Sequence, residues 1–154
     1  MAIAITLHEY LDNRCIGYKI LEHPYTSASM QTAQAAHIPG KQLAKSVVLE
    51  DDQGYLLAVI PSNKHVDLGS VHRQFNRHLG LTTEDNLRTL FPDCEPGAIP
   101  PVGEAYGIEV IVDDSLAHCS DVYFEAGDHT HLIQVNGKDF MQVVEHKNDG
   151  CYSR

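Results

Sequence analysis

The stretch from Lys41 to Pro61 contains two apolar runs around one polar segment, and it predicts a β-hairpin in the middle of the chain. The runs are residues 46–49 and 55–60, and residues 50–54 (Glu-Asp-Asp-Gln-Gly) supply the turn chemistry. Both arms are apolar on both faces. This pattern indicates central strands that are covered by other elements on two sides.

Before this hairpin, the pattern predicts a helix, a strand and a second helix. Thr6-Leu7-His8-Glu9 fits a capping box that begins the first helix, and Gly17 is the expected end of this helix. Residues 18–23 predict a short strand that ends at Pro24. Small residues at 32–37 predict a helix that lies close against the sheet.

After the hairpin, Asp67 is predicted to cap a helix with apolar positions up to Leu79 and an end at Gly80. The remaining predicted elements are a helix at 83–91, strands at 108–112, 121–124 and 132–135, and a short helix at 139–144. The polar tail, 145–154, is expected to be frayed. Strands mixed with helices of this size predict an α+β fold, with 1–154 as a single domain around a mixed sheet.

The composition is that of an ordinary globular protein. The 154 residues are 43% hydrophobic and 21% charged, and a chain of this length buries about 70% of its unfolded surface. No apolar run has the length of a membrane span, and the N-terminus lacks the pattern of a signal peptide. The expected location is therefore cytoplasmic. The four scattered cysteines are expected to be reduced thiols.

The charge argues against tight binding of nucleic acid by the whole surface. The net charge is −10, and residues 101–154 alone carry three cations against ten anions. Such a field repels a polyanion, so a nucleic-acid partner would have to meet a local basic patch. The candidate patch consists of Lys41, Lys45, Lys64, Arg73 and Arg77, with His65, His72 and His78 between them.

Two features could carry chemistry. Lys45 begins the otherwise apolar first arm of the hairpin, where it could be a functional cation or a side chain that extends to solvent. The loop 95–103 contains Pro100 and Pro101, which stiffen it and lack N–H groups. Free amides at Gly97, Ala98 and Ile99 could form an anion-binding concavity, although a rigid connector is the alternative.

The residues around these two features resemble a known family, the YbaK/prolyl-tRNA-synthetase-associated editing domains, also called ProX proteins. The resemblance covers about residues 18–144. It is carried, in order, by His23, Thr32-Ala33, Ala36, Ala44-Lys45-Ser46-Val47-Val48, Leu57-Ala58-Val59-Ile60-Pro61, Val66-Asp67-Leu68, Gly97-Ala98-Ile99-Pro100-Pro101-Val102-Gly103, Val110-Ile111-Val112-Asp113 and Val122-Tyr123-Phe124-Glu125-Ala126-Gly127.

This resemblance implies a barrel-like mixed β-sheet flanked by helices, and a hydrolase that cleaves the ester of a mischarged tRNA, usually tRNA-Pro. The family's functional lysine falls on Lys45, and its GxxxP loop falls on residues 97–101. The implied catalytic groups are the Lys45 ammonium and the amides of Gly97, Ala98 and Ile99, which would stabilise the oxyanion. Pro100 and Pro101 are expected to contact the substrate.

Further candidates for substrate binding are His23, Ser46, His129 and His131. His23 could equally cap the end of its strand, and Ser46 could face away from the site. The segment 128–131 could be a plain polar turn, and its two histidines have a spacing that could also ligate a metal. No metal and no cofactor are expected to be required.

The resemblance implies mischarged tRNA as the partner, with prolyl-tRNA synthetase as a further one, and neither a membrane nor DNA. Two alternatives remain open. The chain could be a non-catalytic module that binds aminoacyl-tRNA or a synthetase, or a hydrolase of another small ester. Lys45 together with the GxxxP loop favours catalysis, whereas the net charge of −10 argues against tight binding of tRNA.

Overall fold

The structure, a computed structural model, describes residues 3–26, 28–144 and 148–154. One mixed sheet organises the fold. Its strands are β1 (Lys19–Glu22), β2 (Leu43–Asp51), β3 (Gly54–Pro61), β4 (Gly80–Leu81), β5 (Glu109–Asp113), β6 (Asp121–Glu125), β7 (His131–Asn136) and β8 (Asn148–Gly150). Their order is β1-β7-β6-β2-β3-β5-β8, and β4 pairs with β2 beside this path. The α+β fold class is confirmed. The sheet is open, with β1 and β8 at its two edges, so it is not the barrel-like sheet that the resemblance implied.

The predicted hairpin is confirmed as the antiparallel pair of β2 and β3, in register from Ala44 and Pro61 to Asp51 and Gly54. Its turn is tighter than predicted because the strands extend to Asp51 and Gly54. Side chains alternate between two apolar clusters. Val48 and Leu57 pack in the larger one, whereas Leu49 and Leu56 pack in the other. The expected cover on both faces is therefore present.

In the described part of the chain, six α-helices flank the sheet: α1 (Ile5–Asn13), α2 (Ser29–Ala35), α3 (Leu68–Phe75), α4 (Glu84–Leu90), α5 (Asp114–Ala117) and α6 (Gly137–Val144). Asp67 caps α3 as predicted, since its side chain accepts from the Ser70 amide. The predicted end at Gly80 is wrong, because Asn76 takes a left-handed conformation after Phe75. The capping box at Thr6 is also wrong, since α1 already begins at Ile5.

The C-terminal residues are ordered, contrary to the predicted fraying. Strand β8 pairs with β5 in parallel, and Tyr152 is buried. The Asp113 carboxylate holds this end by accepting from the Tyr152 amide at 3.0 Å and the Ser153 hydroxyl at 2.8 Å. It also accepts from the amide and hydroxyl of Ser115 in α5. Residues 145–147, which belong to the same prediction, lie outside the described residues.

Replacing Asp113 by asparagine should destabilise the protein by about 1.5–3 kcal/mol, because each of its hydrogen bonds involves a charged acceptor. Burial raises the pKa of Asp113, but its hydrogen bonds outweigh this effect and leave the pKa below its ordinary value of 3.8. The stability that Asp113 contributes is therefore fully present above pH 3.8 and is lost as the pH falls through the lowered pKa. Urea unfolding measures the difference, with exposed Asp114→Asn as the matched control. Equal stability of the two variants would contradict this role.

No helix in the described part of the chain is long and apolar enough to cross a membrane. All four cysteines are free thiols.

Candidate active site

The loop before β5 is tied to the turn after β6 by two backbone hydrogen bonds. The Glu95 amide donates to the Gly127 carbonyl at 2.8 Å, and the Gly127 amide donates to the Ala98 carbonyl at 3.0 Å. Gly127 has a φ of 100°, a conformation that favours glycine. The resemblance had joined these two segments only by their order along the chain. In the structure they form one unit at the end of β6.

This unit borders an unpaired stretch of β2. Strand β6 pairs with β2 only at Leu43 and Ala44, and β4 pairs with it only at Leu49 and Glu50. Between these points, a cavity of about 230 Å³ is lined by Ser46, Gly97 and Ile99, among other residues. The structure thus brings Ser46 together with two residues of the predicted anion-binding loop.

The three predicted backbone donors are not equally available. The Ala98 amide donates to the Glu95 carbonyl at 3.0 Å and is therefore already used within the loop. Within the described residues, the amides of Gly97 and Ile99 have no acceptor. Pro100 and Pro101 are buried behind them, so they stiffen the loop from the protein side. Substrate contact by the two prolines stays a prediction.

Lys45 precedes Ser46 on β2, and its side chain starts from the opposite face of the strand. Ala44 and Val48 pack in the larger cluster, whereas Leu43 packs with Ala33 of α2 on the face that Lys45 shares. The side chain is half-buried, and this burial lowers the pKa of the Lys45 ammonium. Among the described residues it has no carboxylate partner. Lys45 is therefore a partly desolvated cation without a counter-ion.

Glu125 is the last residue of β6, the strand beside β2, and its side chain lies on the same face of the sheet as that of Lys45. Phe124 pairs with Ala44 in parallel, so Glu125 and Lys45 follow at the same level and on the same side. Glu125 is only 4% exposed. Burial raises its pKa to about 8, against a hydrogen bond from Thr32 that lowers it. Its Oε2 atom has no hydrogen-bond partner among the described residues.

The histidine candidates lie at neighbouring strand ends: His23 follows β1, His129 lies between β6 and β7, and His131 begins β7. His23 is buried, and its Nδ1 donates to the Pro24 carbonyl at 2.8 Å, since a carbonyl can only accept. Its Nε2 is buried without a partner in the described structure. His129 is buried against the exposed ring of Tyr25, with ring centroids 5.1 Å apart.

His131 is held by other side chains. Its Nδ1 contacts the Asp128 carboxylate at 2.9 Å, and its Nε2 contacts Glu22 at 3.3 Å. Asp128 also accepts from the amides of Thr130 and His131, which fixes the turn. Among the described residues, no group of three His, Cys, Asp or Glu side chains could hold a metal ion. The geometry supports the interpretation of 128–131 as a structured polar turn.

The thiol closest in sequence to the loop is a poor nucleophile. Burial raises the pKa of Cys94 to about 12, so this thiol carries almost no thiolate at neutral pH. Its sulfur lies 3.3 Å from the Tyr106 hydroxyl. A reaction at this site would therefore use water rather than Cys94.

Glu125→Gln should make the protein more stable than wild type, by an amount that grows with pH. The folded carboxyl keeps its proton up to about pH 8, whereas its ordinary pKa is 4.5. Wild-type stability should therefore fall as the pH rises from the lower value to the higher, on the order of a few kcal/mol, and then level off. Glutamine does not titrate and escapes this loss. Urea unfolding of wild type and Glu125→Gln between pH 4.5 and 8.5 measures this change, with exposed Glu9→Gln as control. A difference in stability between wild type and Glu125→Gln that stays constant over this pH range would disprove the raised pKa of Glu125.

With this geometry established, the class of protein follows from comparison. The profile of the aminoacyl-tRNA editing domain matches residues 23–143, which is most of the chain. The protein belongs to the aminoacyl-tRNA editing domain family, as the resemblance predicted. Comparison with curated proteins gives no significant match.

Solved structures agree with this fold. One is a proposed trans-editing enzyme for prolyl-tRNA synthetase, with a TM-score of 0.84, 22% identity and coverage of 98% of this chain and 99% of that chain. A hypothetical protein matches with a TM-score of 0.86, 18% identity and coverage of 97% and 99%. A proposed signal transduction protein from Marinobacter aquaeolei VT8 matches with a TM-score of 0.77 and 19% identity, over 97% of this chain and 30% of that chain.

Sequence reasoning did not select Glu125 and Thr32 as candidate site residues. The predicted strand ended at Phe124, so Glu125 fell in a loop and counted only toward the resemblance. Thr32 was interpreted as part of a small-residue helix. A strand extended by one residue would have placed Glu125 on the face of Lys45, and this alternation is the signal that could have found it.

Proposed function

We propose that this protein hydrolyses the ester between a wrongly attached amino acid and the terminal ribose of tRNA, acting in trans on tRNA-Pro. The observation that carries this proposal is the position of the Gly97 loop. Two backbone hydrogen bonds to Gly127 fix the loop, and its amides at Gly97 and Ile99, unpaired among the described residues, lie beside Ser46 of β2. The family of editing domains supports the same reaction. The fold shared with a proposed trans-editing enzyme for prolyl-tRNA synthetase is consistent with it.

In this mechanism, water attacks the ester carbonyl and the amides of Gly97 and Ile99 stabilise the oxyanion. This pair replaces the predicted set of three, because the Ala98 amide is already bonded. Lys45 starts from the face of β2 opposite to Ser46, so we assign its ammonium to the unpaired edge of this strand, where it adds positive charge to the oxyanion or to the ribose-phosphate end. An aminoacyl ester is already activated, so positioning and electrostatics can supply most of the acceleration. The bond from the acyl carbon to the ribose oxygen breaks, and the leaving oxygen takes a proton, which the neighbouring ribose hydroxyl could relay.

Ser46 is the substrate-binding candidate that fits this cavity best. Its hydroxyl is buried without a partner among the described residues, and it lines the cavity beside the loop. We assign it a hydrogen bond to the ribose of the terminal adenosine. His23 offers a second unpaired atom, whereas His131 is already engaged by Asp128.

The decisive experiment is a deacylation screen. Purified protein is incubated with tRNA-Pro charged with alanine, serine, threonine, cysteine or proline, and with the same amino acids on their own tRNAs. Release of one or more wrong amino acids from tRNA-Pro, with prolyl-tRNA-Pro spared, is the expected outcome. Absence of hydrolysis across the panel, with or without added prolyl-tRNA synthetase, would disprove the proposal and favour a binding module.

Binding of tRNA alone should be weak and strongly dependent on salt, because only a few phosphates can be neutralised against a net charge of −10. Lys41, Lys64 and Arg73 are exposed and can form this patch. Arg77 should be removed from the predicted set, since it makes two hydrogen bonds to Asp51, at 2.8 and 2.6 Å.

Charge reversal at Lys41, Lys64 and Arg73 together should therefore weaken tRNA binding and flatten its salt dependence. The same reversal at exposed Lys138 in α6 is the matched control. Filter binding between 50 and 300 mM salt measures both quantities. Affinity that stays tight and flat across this range, or a triple variant that binds like wild type, would contradict a local electrostatic patch.

A further inference from the structure

Glu125 is a buried acid, and its burial lowers the stability of the fold. Its carboxyl group is 4% exposed, and Oε2 lacks a partner among the described residues. A buried carboxyl without a full set of partners is costly, and an apolar or amide side chain would fit such a place at lower cost. Departures of this kind concentrate at functional sites.

Among the described residues, hydroxyl and imidazole groups lie near Glu125, and no cation forms an ion pair with it. The Thr32 hydroxyl is close enough to Glu125 to lower the pKa of this carboxyl; it donates to the Ala28 carbonyl at 3.1 Å and lies 2.6 Å from the Thr26 hydroxyl. The amide of Thr26 bonds to the carbonyl of His129, so these groups form one connected cluster. Across the sheet, Glu125 pairs with Leu132, and Leu132 pairs with Leu21. His23, two residues beyond Leu21, ends on the same face with a free Nε2.

Lys45 is the nearest cation by position along the sheet, yet it forms no ion pair with Glu125 within the described structure. The two side chains leave adjacent strands, about 4.8 Å apart, at the same level. Lys45 is therefore an unpaired cation, whereas Glu125 keeps its proton until a cation comes close enough to favour its ionised form. A ligand that carries an oxyanion or phosphate next to a cation would satisfy both groups.

An aminoacyl ester has this character. Its α-ammonium nitrogen is about 2.5 Å from the carbonyl carbon by bond geometry, and the ribose phosphate lies on the other side of the ester. If the ester lies at the unpaired edge of β2, between Lys45 and the Gly97 loop, the α-ammonium would point toward β6, the neighbouring strand on the Lys45 side. The hydrogen-bond acceptors there are Glu125, the Thr32 hydroxyl and His23 Nε2.

We propose that Glu125 binds the free α-ammonium of the aminoacyl group, so that the site accepts aminoacyl esters and discriminates against N-acylated ones. This inference rests on the proposed function and names the part of the substrate that Glu125 reads. Thr32 acts as a positioning residue that holds the carboxyl group toward the substrate. Peptidyl-tRNA and formylated initiator tRNA lack this ammonium and would be spared.

The test compares the aminoacyl-tRNA that wild type hydrolyses fastest with the N-acetylated form of the same molecule. Wild type should prefer the free amine by at least about tenfold, as expected for a hydrogen bond between charged groups. Glu125→Gln should lose at least about tenfold on the free-amine substrate and little on the acetylated one, so the preference collapses. Thr32→Val should shift the preference in the same direction by less. Exposed Glu9→Gln is the matched control and should keep the wild-type ratio.

Equal hydrolysis of both substrates by wild type would overturn the inference while leaving the deacylase proposal intact. Equal loss on both substrates in Glu125→Gln would overturn it as well, since the carboxyl group would then act on water or on the fold. Circular dichroism and urea unfolding identify a folding defect.

Binding of a hydrolysis-resistant analogue, 3′-deoxy-3′-(alanylamino)adenosine, and of its N-acetyl form gives a readout that does not need catalysis. Wild type should bind the free-amine form at least about tenfold more tightly, and Glu125→Gln should bind the two alike. A protein that hydrolyses nothing but shows this preference would end the deacylase proposal and support the ammonium site. A protein without either property would end both.

Discussion

Replacing Lys45 by alanine is expected to lower the rate of deacylation by at least about a hundredfold, comparable to the loss of one preorganised electrostatic group. The ammonium is half-buried, and burial lowers its pKa. Its charge is therefore less screened than a surface charge and acts more strongly on a nearby oxyanion. The fold should persist, because the side chain has no ion-pair partner in the described structure whose loss would leave a buried charge behind.

Lys45→Arg should restore only part of the rate, since a planar guanidinium cannot occupy the place of a compact ammonium. Lys138→Ala, an exposed lysine on α6, is the matched control for loss of one positive charge. Single-turnover hydrolysis measures the chemical step, and circular dichroism confirms folding. A folded Lys45→Ala protein that hydrolyses its best substrate at the wild-type rate would remove Lys45 from the mechanism.

The elements that sequence reasoning placed well are those with a strong local signal. The hairpin of β2 and β3 has apolar runs on both arms and turn residues between them, so its pairing follows from residues that are close together in the chain. The cap at Asp67 likewise depends on a contact three residues away. Such features depend on near neighbours in the chain, so the sequence contains most of what determines them.

The C-terminal end shows the opposite case. Residues 148–154 carry no periodic pattern, yet β8 pairs with β5 and Tyr152 is buried. Their order depends on the carboxylate of Asp113, some forty residues earlier in the chain. A contact between such distant residues leaves no periodic signal in a single sequence. The predicted end of α3 was wrong for a different reason. Asn76 ends the helix in a left-handed conformation that is more typical of glycine, so the next glycine in the sequence was a misleading signal.

The candidate site divides in the same way. Lys45 and the Gly97 loop could be identified from residue types and from the resemblance, whereas their surroundings could not. The use of the Ala98 amide within the loop and the burial of Glu125 arise from packing between segments that are far apart in sequence. Arg77 shows the kind of error that results. Sequence reasoning counted it toward a tRNA-binding patch, whereas in the structure its guanidinium is paired with the Asp51 carboxylate.

Gly127→Ala should impair both stability and turnover, because Gly127 joins the loop to the sheet. Its φ of 100° is unfavourable for any other residue, and an added Cβ would lie 2.8 Å from the Ala4 Cβ. We expect a loss of about 2–5 kcal/mol in the free energy of unfolding from strain and overpacking together. A shift of the turn would also displace the Ala98 and Glu95 backbone that it bonds. A displacement on the order of 1 Å could then lower the rate by about tenfold to a hundredfold.

Two companion variants separate the causes. Gly107 has a φ of 75° with nothing within 4 Å of an added Cβ, so Gly107→Ala should cost about 1–2 kcal/mol by strain alone and leave turnover unchanged. Adding Ala4→Gly to Gly127→Ala removes the atom that the new Cβ would meet, and it should recover part of the lost stability and rate. Urea unfolding and single-turnover hydrolysis report the two quantities. A Gly127→Ala protein with wild-type turnover would show that the Gly97 loop keeps its geometry without this connection, and the oxyanion site would then not depend on the turn after β6.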